Sequence, residues 1–260
     1  MASRDHEALR EFGRQLEDGS PWPRPICPVC GNGYVAFKEP ETFENSESLK
    51  GQHHEAWEPE WVFGTFYSIG HCENSTCRQI VTVNGTYRVG MSEKPDPSWQ
   101  PPSYSPFYRV EHFSPPITLI LLPEDAPEDV REAVNRSAKL LFLDPGLAAT
   151  ALRASIERYL TSEEISATAA NGNFIPLDTR VKIWKLQSGQ NRVAALFLAV
   201  KWIGNEGTHE VSDLTVNDVL EGAEFIDEAF HVLFVAPDLD ARAQIINANK
   251  GRSNARRSAR

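Results

Sequence analysis

Cys27-Pro28-Val29-Cys30-Gly31 and Cys72-Glu73-Asn74-Ser75-Thr76-Cys77 contain every cysteine of the chain, two pairs with none left over. Four thiols in two local pairs are the ligand count of one tetrahedral zinc site. In the first pair the Cys-x-x-Cys knuckle turns both sulfurs toward one point, with Pro28 fixing one φ and Gly31 freeing another. The second pair has four intervening residues, a looser spacing that zinc sites still use. Two disulfides or four buried thiols are the competing readings. Disulfides are disfavoured because residues 1–20 are polar and charged and lack the apolar core of a signal peptide, which points to a cytoplasmic protein. The expected cofactor is a structural zinc on Cys27, Cys30, Cys72 and Cys77; His71, His53 and His54 could substitute as ligands, although a lone His near such a site is more often a bystander. A four-thiolate site has no open position for water, so such a zinc holds structure and performs no chemistry.

Around the cysteines the pattern is β. Residues 61–69, Trp-Val-Phe-Gly-Thr-Phe-Tyr-Ser-Ile, are aromatic and β-branched and lead into the second pair as a strand. Residues 33–37 predict another strand after the first knuckle, and the polar stretch 39–60 predicts a solvent-facing excursion. Residues 79–83 and 86–89 flank Asn84-Gly85, the signature of a two-residue type I′ hairpin turn. From Lys94 to Pro116 prolines and serines dominate and predict an extended linker, assigned to 93–122, with a domain boundary near residue 120.

Beyond Leu122 the apolar period becomes helical. Asp125-Ala126-Pro127-Glu128 resembles a capping box before a helix that buries Val130, Val134, Ala138 and Leu141. Asp144-Pro145 predicts the cap of the next, with Leu152, Ile156 and Leu160 as its stripe. A third helix covers 178–186, and a fourth covers 191–203 and stops at Gly204-Asn205. A fifth starts at Thr215, with Asp218 three residues on, and buries Val219, Ala223, Ile226, Phe230 and Leu233. The predicted class is α+β: a polar segment 1–25, a zinc-ribbon-like β module 26–92, a linker 93–122, an antiparallel helical bundle 123–236 and a basic, disordered tail 237–260.

Charge narrows the function classes. The net charge is −10, which argues against a general nucleic-acid binder. Residues 1–122 carry about −6 and 123–249 about −9, while the tail from Lys250 carries about +5. No run of eighteen apolar residues exists, so no membrane-spanning helix is expected.

The order of motifs adds a resemblance. Cys-Pro-x-Cys-Gly, the second cysteine pair, Leu122-Pro123, Arg153-Ala-Ser-Ile-Glu157 and Lys201-Trp-Ile-Gly204-Asn205-Glu-Gly-Thr-His209-Glu210 together resemble the bacterial family known as domain of unknown function 4145. That family is similar to the HEPN helical superfamily, whose active members are metal-independent RNases of toxin and phage-defence systems. The resemblance implies a HEPN-like bundle, a homodimer, and an Arg and a His that meet across the dimer interface. Carried onto this chain, it implies His209 as general acid or base, Lys201 as phosphate contact, Asn205 as hydrogen-bond donor and Arg153 as a charge from the neighbouring helix. Positions 202–208 contain no Arg, and Lys201 lacks the planar fork Arg offers a phosphate.

Each of these residues also has an ordinary structural reading. Arg153 and Glu157 fit a helix-surface ion pair, Gly204 and Asn205 a helix C-cap, His209 a helix-end contact and Lys201 a solvated charge. Two functions follow: a non-catalytic interaction or regulatory module of a defence or restriction system, with a protein of that system as partner, or an RNase effector with RNA as substrate. Trp202, Phe225 and Phe234 exceed what one apolar stripe needs and are candidates for covering a second copy.

Overall fold

The computed structural model describes residues 6–92, 94, 103–208, 213–236 and 243–247. Six strands, β1 (Leu16–Glu17), β2 (Val35–Phe37), β3 (Glu41–Glu44), β4 (Phe63–Cys72), β5 (Ile80–Met91) and β6 (Tyr104–Ser114), form one antiparallel sheet. Its order is β1-β6-β5-β4-β2, and β3 also pairs with β4. β2 and β3 occupy successive stretches of the same β4 edge, with Val35 opposite Cys72 and Glu41 opposite Tyr67.

The Asn84-Gly85 turn does not form. Both residues lie inside β5, which is paired along one side with β4 and along the other with β6. At this point the β5–β6 register shifts, and a Cβ on Gly85 would lie 2.0 Å from the Arg109 carbonyl oxygen. The glycine admits the neighbouring backbone at a bulge; it does not reverse the chain. The reversal is at 73–79, where Cys72 N–H donates to the Gln79 carbonyl at 2.8 Å. The hairpin turn is thus the loop that carries Cys77.

Two further expectations are corrected. Part of the expected linker is β6: behind its prolines, Tyr108 and Val110 alternate into the core, and Phe113 returns to it past the register shift. The sheet therefore extends past residue 92. The N-terminal polar segment likewise contributes α1 (Glu7–Phe12), which buries Leu9 and Phe12. The Phe12 ring lies 5.1 Å from Phe113, 5.9 Å from Phe37 and 6.4 Å from Phe142, centroid to centroid. Residues 39–60 are mostly exposed, yet include β3 and the short helix α2 (Ser46–Gly51).

The helical part comprises α3 (Glu128–Leu140), α4 (Pro145–Ser162), α5 (Leu177–Ser188), α6 (Asn191–Glu206) and α7 (Val216–Phe230). α4 is central and packs on α3, α6 and α7. Asp144 caps it, accepting from Leu147 N–H at 2.8 Å, and Thr215 with Asp218 forms the capping box of α7. No such box opens α3, whose N-cap is Pro127 without a side-chain bond. Sheet and helices share one continuous core. Arg10 of α1 pairs with Glu224 of α7 at 2.6 Å, and His6 Nε2 lies 2.9 Å from the Leu119 carbonyl oxygen. No helix among the described residues is long and apolar enough to cross a membrane.

α6 does not stop at Gly204-Asn205 but runs on to Glu206. Gly204 is where α6 crosses α4: a Cβ there would lie 2.4 Å from Arg153 Cβ and 3.0 Å from the Ala149 carbonyl oxygen. Alanine ordinarily gains about 1 kcal/mol over glycine inside a helix. Overpacking at this crossing outweighs that gain, so Gly204→Ala is expected to destabilise by about 1–3 kcal/mol in denaturant unfolding.

Candidate metal centre and helical polar cluster

The four cysteine sulfurs lie within 4.8 Å of one another. Cys27 and Cys77 are separated by 3.9 Å, Cys30 and Cys72 by 3.6 Å. Ligands about 2.3 Å from a tetrahedral ion are spaced about 3.8 Å apart, so the sulfurs fit one metal. They are much too far apart for disulfide bonds of about 2.05 Å. The first knuckle closes through Gly31 N–H to the Cys27 carbonyl at 3.0 Å and Cys27 N–H to the Gly33 carbonyl at 2.7 Å. Gly31 has φ 66°, the left-handed region that favours glycine. A Cβ on Gly33 would lie 2.6 Å from Cys72 Sγ, so only glycine lets the two knuckles meet. The second knuckle closes through Cys77 N–H to the Asn74 carbonyl at 2.9 Å. Arg24 and Glu73 form an ion pair across the two segments.

The thiols are electrostatically unequal. Backbone N–H groups of Asn32 and Gly33 hold the Cys30 thiol down at about 6, while burial pushes Cys72 up to about 12. A cation at the centre reverses the second effect, because it stabilises the thiolate that burial disfavours. Among the described residues no histidine joins the cluster. His54 lies 5.4 Å from Trp61 and accepts from Ala56 N–H, away from the sulfurs.

The polar residues of the helical part are arranged differently. Arg153 of α4 pairs with Glu157 one turn on at 2.8 Å. Lys201 of α6 has a side chain only 12% exposed; its Nζ lies 3.9 Å from Asp178 Oδ1 of α5 and 3.6 Å above the Trp202 ring. The Asn205 carbonyl accepts from Thr208 N–H at 3.0 Å and from its hydroxyl at 2.7 Å, finishing the helix. The two cations therefore lean on separate carboxylates, and His209 lies outside the described residues. Sequence reasoning missed Asp178, and also Arg180, which is buried and donates to the Ile165 and Glu157 carbonyls and to Thr161 Oγ1. Its signal was a charged residue within the apolar stripe Leu177, Val181 and Trp184.

Residues 135–249 match the family model of domain of unknown function 4145 (DUF4145), and residues 16–113 match that of domain of unknown function 8608 (DUF8608). The helical half carries a DUF4145 domain. No curated protein and no solved structure matches the chain. The DUF4145 match begins beyond the cysteine pairs and Leu122-Pro123, so those motifs, counted in the resemblance, fall outside it; the cysteines lie in the DUF8608 match. Arg153, Lys201, Asn205 and His209 all fall inside DUF4145.

Two expectations follow. Purified protein carries one metal ion per chain by elemental analysis, and Cys72→Ser loses the ion and melts at lower temperature. Folded, metal-free protein with four titratable thiols would contradict this. In the DUF4145 domain, the Asp178 carboxyl is held below its usual range by the Lys182 hydrogen bond, helped by the Lys201 charge. A depressed carboxylate stabilises the fold above the ordinary carboxylate range, and that contribution is lost as pH falls through the folded value. Asp178→Asn is expected to lower the melting temperature near neutrality, and the difference from wild type to shrink as pH falls through and below the ordinary carboxylate range.

Proposed function

We propose that this chain is a zinc-stapled, non-catalytic interaction module with a HEPN-like helical domain, serving a bacterial defence or restriction system. Zinc is the metal that best suits four thiolates in a closed tetrahedron, and it has a structural role there. One observation carries the non-catalytic reading: both cations of the candidate catalytic set, Arg153 and Lys201, are already engaged by carboxylates of their own chain. A phosphate approaching either would compete with an existing ion pair. Lys201 is further withdrawn by lying over Trp202.

The same helix supports an interaction role. Trp202 is 64% exposed, a large ring in water that a second copy of the chain would cover. Phe225 and Phe234, grouped with it in the sequence, pack instead against the core. The defence setting rests on the family resemblance alone.

The deciding experiment incubates wild type, Lys201→Ala and His209→Ala with single-stranded and structured RNA and follows cleavage. The reading expects no cleavage that depends on either residue. Cleavage abolished by His209→Ala with unchanged thermal stability would establish the RNase effector instead.

A further inference from the structure

The chain has 36 acidic residues against 26 basic ones, yet two adjoining clefts on the sheet are lined by arginines and by no carboxylate. One, of about 320 Å³, lies at the seam between sheet and helices and includes Arg14, Gln15 and Arg109. The other, of about 280 Å³, includes Gln15, Phe63, Arg88, Phe107 and Arg109. Gln15 and Arg109 line both, so the two adjoin. Together they fall within the roughly 300–1,000 Å³ of small-molecule sites.

Strand register builds the second cleft. Phe63 on β4 and Phe107 on β6 both lie directly opposite Arg88 on β5, which sets the arginine's position between two aromatic ones on a single face. Arg109 lies opposite Thr86, two residues along β5 from Arg88 and on the same face. All three arginines are exposed, and Phe63 and Phe107 are reachable from solvent.

The charges are also unmatched. Arg10, Arg24, Arg131, Arg153, Arg158 and Arg192 each hold a carboxylate. Among the described residues Arg14, Arg88 and Arg109 hold none. Arg88 donates to the neutral Gln15 Oε1 at 3.3 Å. Glu111, at the border, accepts from the Thr86 hydroxyl at 3.2 Å.

Guanidinium groups offer planar, paired donors that suit phosphate oxygens, and exposed aromatic rings at half-buried sheet positions suit a flat base. We propose that the joined clefts bind a phosphate-bearing aromatic ligand, a nucleotide or a short single-stranded oligonucleotide, with Arg14, Arg88 and Arg109 on the phosphate and Phe63 or Phe107 under the base. The acidic remainder of the surface restricts this to a short, local ligand and disfavours long nucleic acid. The inference concerns the sheet and its seam with the helices and does not rest on the reading of Arg153, Lys201 and His209.

Fluorescence anisotropy with a labelled single-stranded hexanucleotide, competed by AMP and by inorganic phosphate at low salt, tests it on the full chain. Wild type is expected to bind saturably, and the Arg88→Gln/Arg109→Gln double variant to bind at least about tenfold more weakly. Phe63→Ala is expected to weaken AMP competition and leave that of phosphate unchanged. AMP competing as well as unlabelled hexanucleotide assigns the site to a nucleotide; hexanucleotide competing far better assigns it to a strand. Should the double variant melt below wild type, Arg14→Gln supplies the same test from an exposed loop. The proposal is overturned if no probe binds saturably, if the arginine variants bind like wild type, or if inorganic phosphate competes as well as AMP.

Discussion

The convergence of four sulfurs on one point is the constraint around which the N-terminal half is arranged. Cys72 ends β4 and Cys77 lies in the loop that returns as β5, so two of the sulfurs sit on the β4–β5 hairpin. Cys27 and Cys30 bring in the segment that becomes β2, and Val35 pairs with Cys72 itself. Holding a metal there closes a loop of chain between 30 and 72 whose middle is mostly exposed and makes little core. Structural zinc sites contribute on the order of 10 kcal/mol to the folding of small modules. The local chemistry agrees at each step: Gly31 for its positive φ, Gly33 for the contact with Cys72, and backbone amides aimed at Cys30.

That corner does not stand alone. Cys27 and Cys72 belong to the same buried cluster as Phe12, Phe113 and Phe142, which continues into the helices through Leu141 and Leu152. Phe12 is the pivot, because its ring touches strands on one side and the end of α3's connection on the other. The Arg10–Glu224 pair reinforces the seam, with only a modest contribution because both partners remain partly in water. The two family matches divide the chain, but burial joins what they divide.

Features with local causes were legible in the sequence. Each Cys pair, the Asp144 cap, the Thr215–Asp218 capping box and the stripe of α7 depend on residues near one another in sequence. What failed depended on distant neighbours. Asn84-Gly85 carries the turn signal, but β6 pairs along the far side of β5 and turns Gly85 into a point of close approach. Gly204 reads as a stop, but the helix continues because α4 needs the space its missing side chain leaves. The prolines around β6 hid an alternation that only a paired β5 makes meaningful. In the helical cluster, Arg153–Glu157 was visible as a one-turn pair, whereas Asp178 meets Lys201 only after α5 and α6 pack.

The chemistry follows from these placements. Four sulfurs would fill a metal's coordination and leave it nothing to catalyse, Arg153 and Lys201 already hold carboxylates of their own chain, and Arg88 and Arg109, which hold none, lie on the sheet. The central claim is the sulfur cage, and metal-edge X-ray absorption of the purified protein tests it most directly. A single zinc shell of four sulfurs at about 2.3 Å is expected. A shell containing nitrogen or oxygen, or protein that folds with no metal bound, would contradict it.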